Sequence, residues 1–120
     1  MNVHVLGTAG GEVTGSCYHL ETNQAHVLVD CGLFQGSRDA DVLNHQPPLT
    51  NITQLDALVV THAHLDHVGR IPVLTKAGYR GPIFATSATI DLMMIILEDS
   101  ARIQQSDIER TNRKRRRAAS

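Results

Sequence analysis

The sequence has little of what builds disulfide frameworks and membrane spans. It contains only 2 cysteines, Cys17 and Cys31, which are too few for the crosslinked scaffold of a small secreted protein. No basic segment with a long apolar stretch behind it follows Met1, and the longest apolar runs fall far short of the roughly 20 residues that cross a bilayer. These absences predict a reduced, cytoplasmic protein that has no membrane partner.

Aromatic residues and net charge are also scarce. Aromatic side chains make up 3% of the chain, and the formal net charge is -1. The charge argues against a protein that binds polyanions over its whole surface, and the few aromatic rings give no support for stacking of nucleic-acid bases. The 120 residues, of which 42% are hydrophobic, are sufficient for the core of one ordinary globular domain.

The first half of the chain has the pattern of strands and the second half that of helices. Short apolar segments predict a strand meander over 2–6, 16–21 and 26–30, and an apolar run at 57–60 predicts a strand buried on both faces. A helix over 69–77, a strand over 82–85 and a helix capped by Ser87 are expected to follow. The residues of this last helix expected to face the core are Ile90, Met93, Met94, Leu97 and Ala101.

Directly after the run at 57–60, the segment THAHLDH concentrates metal-binding side chains: His62, His64, Asp66 and His67. Residues i and i+2 of an extended segment project to the same side, so His62 and His64 can reach one ion. If the chain then turns into a helix, Asp66 and His67 reach an adjacent position, as in two-metal sites with ions about 3.5–4 Å apart. Solvated loop histidines are the plain alternative, but four such residues behind a buried strand favour metal.

THAHLDH resembles the HxHxDH signature of the metallo-β-lactamase superfamily. VLVDCGLFQG is similar to the segment that carries the first acidic motif of that superfamily, which is Asp30 in this chain. Together with GEVTGSCYHL, YRGPIFAT and LEDSARIQ, these segments resemble the β-CASP branch, which contains RNA endonucleases and exonucleases. The similarity covers nearly the whole chain to about Gln105.

This resemblance implies an α/β fold, in which residues 1–120 form the amino-terminal part of an αββα sandwich. The carboxyl-terminal half of the metallo-β-lactamase domain and the β-CASP domain would be absent. His62 and His64 would bind a first zinc ion, and Asp66 and His67 a second. Asp30 would lie beneath them and fix an imidazole or the activated water, although a simple turn aspartate is the alternative. Asp66 and Asp30 are thus the implied catalytic residues.

The implied activity is two-zinc hydrolysis of RNA phosphodiester bonds. The remaining ligands would lie beyond Ser120, so the isolated chain is expected to be inactive. A small-molecule hydrolase acting on an ester, thioester or lactam stays open, because one metal site serves many substrates. A non-catalytic metal-binding module also stays open. RNA is the expected partner, and association into a homo-oligomer is left undecided.

Other polar features carry weaker predictions. His4, His19 and His26 are expected to be ordinary sheet residues rather than ligands, and His45 lies in a loop. The glycine-rich residues 7–11 lack both phosphate-loop patterns and predict a tight loop near the metal site. The five basic residues at 113–117 either contact a nucleic-acid backbone or form a solvated helix end.

Overall fold

A computed structural model describes residues 1–7, 14–36 and 39–119 and shows the predicted α/β class. Within these residues a single five-stranded sheet has the order β1-β2-β3-β4-β5. The strands are β1 (Asn2–Val5), β2 (Tyr18–Glu21), β3 (His26–Val29), β4 (Ala57–Val59) and β5 (Ile83–Phe84). The helices are α1 (Ala40–Asn44), α2 (Leu65–Val68), α3 (Ile71–Lys76) and α4 (Ser87–Ala119), with a 3₁₀ turn at Ile52–Gln54.

The strand pairing determines where loop residues meet. β1, β2 and β3 form the predicted antiparallel meander, whereas β4 pairs parallel to β3 and β5 parallel to β4. Parallel neighbours end at the same edge of a sheet. Asp30 directly follows β3 and Val60 directly follows β4, so the acidic residue and the histidine-rich segment emerge side by side.

The two faces of the sheet have different surroundings. Leu28 and Leu58 are fully buried and pack with helix residues such as Leu74 and Met93. Side chains alternate between faces along a strand, so the register assigns Val3, Val5 and Phe84 to the opposite face. Those three side chains are 54%, 50% and 56% exposed. The sheet therefore has one covered face and one open apolar face.

The middle of the chain is more helical than the sequence predicts. The single helix expected over 69–77 is replaced by α2, which starts at Leu65, and by α3, which ends next to Ala77. Gly78 adopts φ 119° after α3, a value that L side chains rarely adopt and that terminates the helix. The loop expected around His45 contains α1, which ends directly before that residue.

The start of α4 differs by one residue from the prediction. Thr86, not Ser87, acts as the N-cap, because its Oγ1 accepts a hydrogen bond from the backbone N–H of Thr89 at 3.2 Å. The carbonyl of Thr86 also accepts the first intrahelical bond, from Ile90 N at 2.9 Å. Threonine and serine are both good N-cap residues, so the sequence alone could not decide which of these two neighbours caps α4.

The core-facing stripe of α4 is narrower than expected. Met93 is buried and Leu97 is partly buried against the core, as predicted. The prediction was wrong for Ile90, Met94 and Ala101, which are exposed. The reason is that this helix of 33 residues contacts the core only along a short stripe, with Met93 as its one buried residue.

Three further observations bear on the expected class of protein. Cys17 and Cys31 are both free and buried, in agreement with the absence of a disulfide framework. Among the residues described, no helix combines the length and apolarity needed to traverse a bilayer. Of the predicted glycine-rich loop, residues 8–11 lie outside the described part of the chain.

Candidate metal centre

Asp30 is the buried centre of the site. Its backbone N–H donates to Val59 O at 2.8 Å, which continues the pairing of β3 with β4 by one residue. Its φ of 62° lies in the left-handed region, where aspartate and asparagine are several-fold enriched among residues other than glycine. This conformation turns a carboxylate that is only 2% exposed towards the segment after β4.

The carboxylate of Asp30 is saturated with hydrogen bonds, as burial of a charge requires. Oδ1 accepts from the backbone N–H of Thr61 at 2.8 Å, and Oδ2 accepts from Thr61 Oγ1 at 2.6 Å. Oδ2 also lies 2.7 Å from Nδ1 of His67 and 3.5 Å from the hydroxyl of Ser16. One carboxylate therefore fixes both the start of the histidine-rich segment and the ring of His67.

The bond between Asp30 and His67 determines which nitrogen of the imidazole carries the proton. An ionised carboxylate can only accept, so Nδ1 of His67 donates and Nε2 keeps its lone pair. Nε2 of His67 lies 3.6 Å from Oδ2 of Asp66. A histidine that donates from one nitrogen to a carboxylate while the other nitrogen stays free is typical of metal ligands.

Three of the four predicted ligands have their donor atoms close together. One donor atom each from His62, Asp66 and His67 lies within 4.8 Å of the others. The rings of His62 and His67 have centroids 3.7 Å apart. His64 lies farther out: its ring stands edge-on to His62 at 4.8 Å, and its donors are outside this group of three. The two nitrogens and one oxygen fit a divalent transition-metal ion.

Backbone hydrogen bonds hold the segment after β3 against α2. Cys31 N donates to His67 O at 2.9 Å, and Leu33 N donates to Leu65 O at 2.8 Å. Gly32 lies between these two residues, and a Cβ at its position would lie 1.8 Å from Asp66 O. This distance is too short for any side chain. Only glycine permits this approach, which places the backbone of α2, and with it Asp66 and His67, above Asp30.

Arg70 is a structural residue of this site that sequence reasoning missed. It is 3% exposed, its Nε donates to Gly32 O, and its backbone N–H donates to Cys31 O at 2.9 Å. The guanidinium lies 4.7 Å from the ring centroid of Phe34, a distance suited to a cation–π contact. An arginine just after a short helix normally predicts a solvated side chain, so its sequence position gave no signal of burial.

The two cysteines lie next to Asp30 in the core. Both are 0% exposed. A hydrogen bond with Cys31 and then burial raise the pKa of the Cys17 thiol far above its usual range. The same hydrogen bond lowers the pKa of Cys31, although burial opposes the shift. Without access to solvent, neither sulfur is placed to contact a substrate.

Comparison with known proteins gave consistent matches. The model of the metallo-beta-lactamase superfamily matches residues 10–79, which is more than half of the chain. Ribonuclease TTHA0252 of Thermus thermophilus is 50% identical over 95 residues, covering 79% of this chain and 22% of that protein. Transcription termination factor FttA of Methanocaldococcus jannaschii is 40% identical over 107 residues, covering 89% of this chain and 17% of that protein.

A solved structure supports the fold. The metallo-beta-lactamase SMB-1, in a complex with mercaptoacetic acid, matches with a TM-score of 0.53 and 25% sequence identity. The match covers 75% of this chain and 33% of that chain. The chain thus spans about a fifth of the length of the curated relatives it matches and a third of this solved one.

Proposed function

Because this chain belongs to the metallo-β-lactamase superfamily and to its β-CASP branch, we propose that it is the metal-binding part of a ribonuclease. The observation that carries the proposal is the 50% identity to a ribonuclease over 95 residues. Within a chain of 120 residues, a stretch of that length necessarily includes both Asp30 and residues 61–67. The similarity therefore covers the site itself.

The proposed cofactor is a pair of zinc ions. His62, His64, Asp66 and His67 are the proposed ligands, and the clustered donors of His62, Asp66 and His67 support the assignment. When bound, zinc supplies the Lewis acidity that activates water and neutralises charge on a phosphoryl group. Asp30 contributes by holding the Nε2 lone pair of His67 towards the Asp66 carboxylate. No side chain of this segment is then required to attack the phosphorus atom.

The remainder of the metallo-β-lactamase domain is proposed to complete the site. The open apolar face with Val3, Val5 and Phe84 is where the second sheet of an αββα sandwich would pack, since each Å² of apolar area removed from water contributes about 25 cal/mol. Among the residues that the structure describes, the loop site groups three donor atoms, fewer than two zinc ions need. We therefore expect RNA cleavage from the whole protein and none from residues 1–120 by themselves.

The test compares the intact purified protein with its Asp66→Asn variant on a labelled single-stranded RNA. This variant keeps the shape of the side chain but weakens a proposed ligand, so cleavage should fall by more than about 100-fold, beyond the range seen when only an outer partner of a ligand is lost. Asp56→Asn is the matched control. Asp56 accepts the backbone N–H of His26 at 2.8 Å, away from the site, and its variant should cleave RNA normally.

Four outcomes would count against the proposal. Equal cleavage by the Asp66→Asn variant would remove Asp66 from the site, and strong cleavage by residues 1–120 alone would show that no further ligands are needed. Turnover of a chromogenic lactam without RNA cleavage would assign the site to a small-molecule hydrolase. Zinc binding by the intact protein without any hydrolysis would mean that the protein is a non-catalytic metal-binding module.

A further inference from the structure

A second group of metal-binding side chains lies on the meander, apart from the loop site. His4 on β1, His19 on β2 and Glu21 on β2 each offer one donor atom, and these atoms lie within 4.8 Å of one another. His4 and His19 are direct cross-strand partners. His4 Nε2 lies 3.7 Å from Glu21 Oε2. The strand positions of these histidines were predicted correctly, but their convergence with a carboxylate was not.

The spacing of these donors suits one ion. Ligands that hold a tetrahedral metal with bonds of about 2.0–2.2 Å stand roughly 3.4 Å apart. The separation of 3.7 Å between His4 and Glu21 is close to this value. The side chains of His4 and Glu21 are 49% and 40% exposed, so they can adjust to an incoming ion, and water can complete its coordination.

A third histidine, His26, contacts the ring of His19. His19 Nε2 and His26 Nδ1 lie 3.1 Å apart, within hydrogen-bond distance, and their rings stack with centroids 5.3 Å apart. When Nε2 of His19 donates, its Nδ1 keeps the lone pair that a metal needs. His26 is itself anchored, because its backbone exchanges two hydrogen bonds of 2.8 Å with Asp56. A hydrogen-bond partner of this kind orients the ring of a metal ligand.

The donor types of the cluster also favour a transition-metal cation. His4 and His19 offer imidazole nitrogens, and Glu21 offers a carboxylate oxygen. Neutral imidazoles with one carboxylate bind zinc, copper or nickel rather than calcium or magnesium.

From this geometry we propose that His4, His19 and Glu21 form a second binding site for a divalent transition-metal ion, with His26 orienting His19. The site lies on β1 and β2, whereas the proposed catalytic ligands follow β4, and it does not depend on ribonuclease activity. An ion bound here would connect β1, which lies at one edge of the described sheet, to β2 and stabilise the meander.

The experiment starts from the intact protein carrying His62→Ala and Asp66→Ala, which disables the loop site. Titration with Cu(II) and, separately, with Zn(II) should show one remaining equivalent. Adding His4→Ala or Glu21→Gln should raise its Kd at least tenfold, since even an outer-shell change weakens metal binding about 10–100-fold. His45→Ala is the matched control. Its imidazole bonds to the Asp41 carbonyl, outside the cluster, and its loss should leave the Kd unchanged.

A spectroscopic readout identifies the ligands independently of affinity. Electron paramagnetic resonance of the Cu(II) form should show coupling to two imidazole nitrogens, and His4→Ala should reduce it to one. Circular dichroism confirms that each variant is folded, and His4→Asn serves as a milder substitute if His4→Ala is not. The proposal is overturned if the folded background binds no ion, or if His4→Ala and Glu21→Gln leave both the Kd and the nitrogen coupling unchanged.

Discussion

Replacing Asp30 by asparagine is the sharpest test of how the metal centre is organised. Asparagine has the same shape and also tolerates the left-handed backbone, with φ 62°. Its carbonyl can still accept from Thr61 N, the bond that measures 2.8 Å in the present protein. Its NH₂ group, however, replaces the Oδ2 that now lies 2.6 Å from Thr61 Oγ1 and 2.7 Å from His67 Nδ1.

The change should reverse the tautomer of His67. The threonine hydroxyl can rotate and accept from the new NH₂ group, but His67 Nδ1 can accept only by giving up its proton. The proton then moves to Nε2, the nitrogen that faces Asp66 Oδ2 at 3.6 Å and that a metal needs unprotonated. We expect the zinc Kd to rise about 10–100-fold, as for other losses of a partner behind a ligating histidine.

Stability should fall as well. Hydrogen bonds to a charged group contribute about 1.5–3 kcal/mol and neutral ones about 1 kcal/mol. Weakening the bonds that Asp30 accepts should therefore cost about 2 kcal/mol in the free energy of unfolding. Denaturant titration of the metal-free protein measures this loss, and a chelator competition assay measures the zinc Kd.

Asp56→Asn again serves as the control, because it removes the same charge from a carboxylate that accepts a backbone N–H without touching the site. Long-range ¹⁵N–¹H correlation spectra report the tautomer of His67 directly. An unchanged zinc Kd together with a proton still on Nδ1 of His67 would refute the role assigned to Asp30.

Two further predictions concern packing and pH. Gly32→Ala should unfold the site, because its Cβ would lie 1.8 Å from Asp66 O. Gly36→Ala has no atom within 4 Å of its Cβ and a φ of +78°, so it should lower the free energy of unfolding only by the roughly 1 kcal/mol of a strained φ. Comparable denaturant midpoints for the two variants would contradict the packing argument. Burial raises the pKa of Tyr79 above its ordinary value of 10.0, so the folded state keeps the phenol proton to higher pH than the unfolded state. The contribution of Tyr79 to stability is therefore present below about pH 10 and lost at higher pH. Tyr79→Phe should flatten that alkaline loss in thermal melts, and an unchanged pH profile would exclude Tyr79 as its source.

The sequence was informative where local pattern determines structure. Short apolar segments were enough to predict the meander, and the apolar run before Thr61 was enough to predict that the histidines would follow a strand end. The prediction that this strand is buried on both faces was wrong, because only Leu58 of β4 is fully covered. A strand end is a good position for ligands, since the scaffold behind it is rigid. The grouping of His62, Asp66 and His67 matches that reasoning, but their binding of zinc stays a prediction.

Features that depend on which strands pair, and in which register, could not be predicted from the local sequence pattern. The contact between Asp30 and His67 exists because β3 and β4 are parallel neighbours, and the residues of neither strand specify that partner. The cluster at His4 and His19 depends on the register between β1 and β2. Burial of Arg70 depends on the space beneath Gly32 and beside Phe34, which forms only after α2 has docked.

The backbone bonds between the segment after β3 and α2 have a consequence for dynamics. The amides of Cys31 and Leu33 donate to His67 and Leu65, and the carbonyl of Cys31 in turn accepts from Arg70 N. Solvent can reach these amide hydrogens only when α2 separates from the sheet. Hydrogen–deuterium exchange at Cys31 and Leu33 should therefore be as slow as at the central strands, which makes this loop part of the most slowly opening unit of the protein.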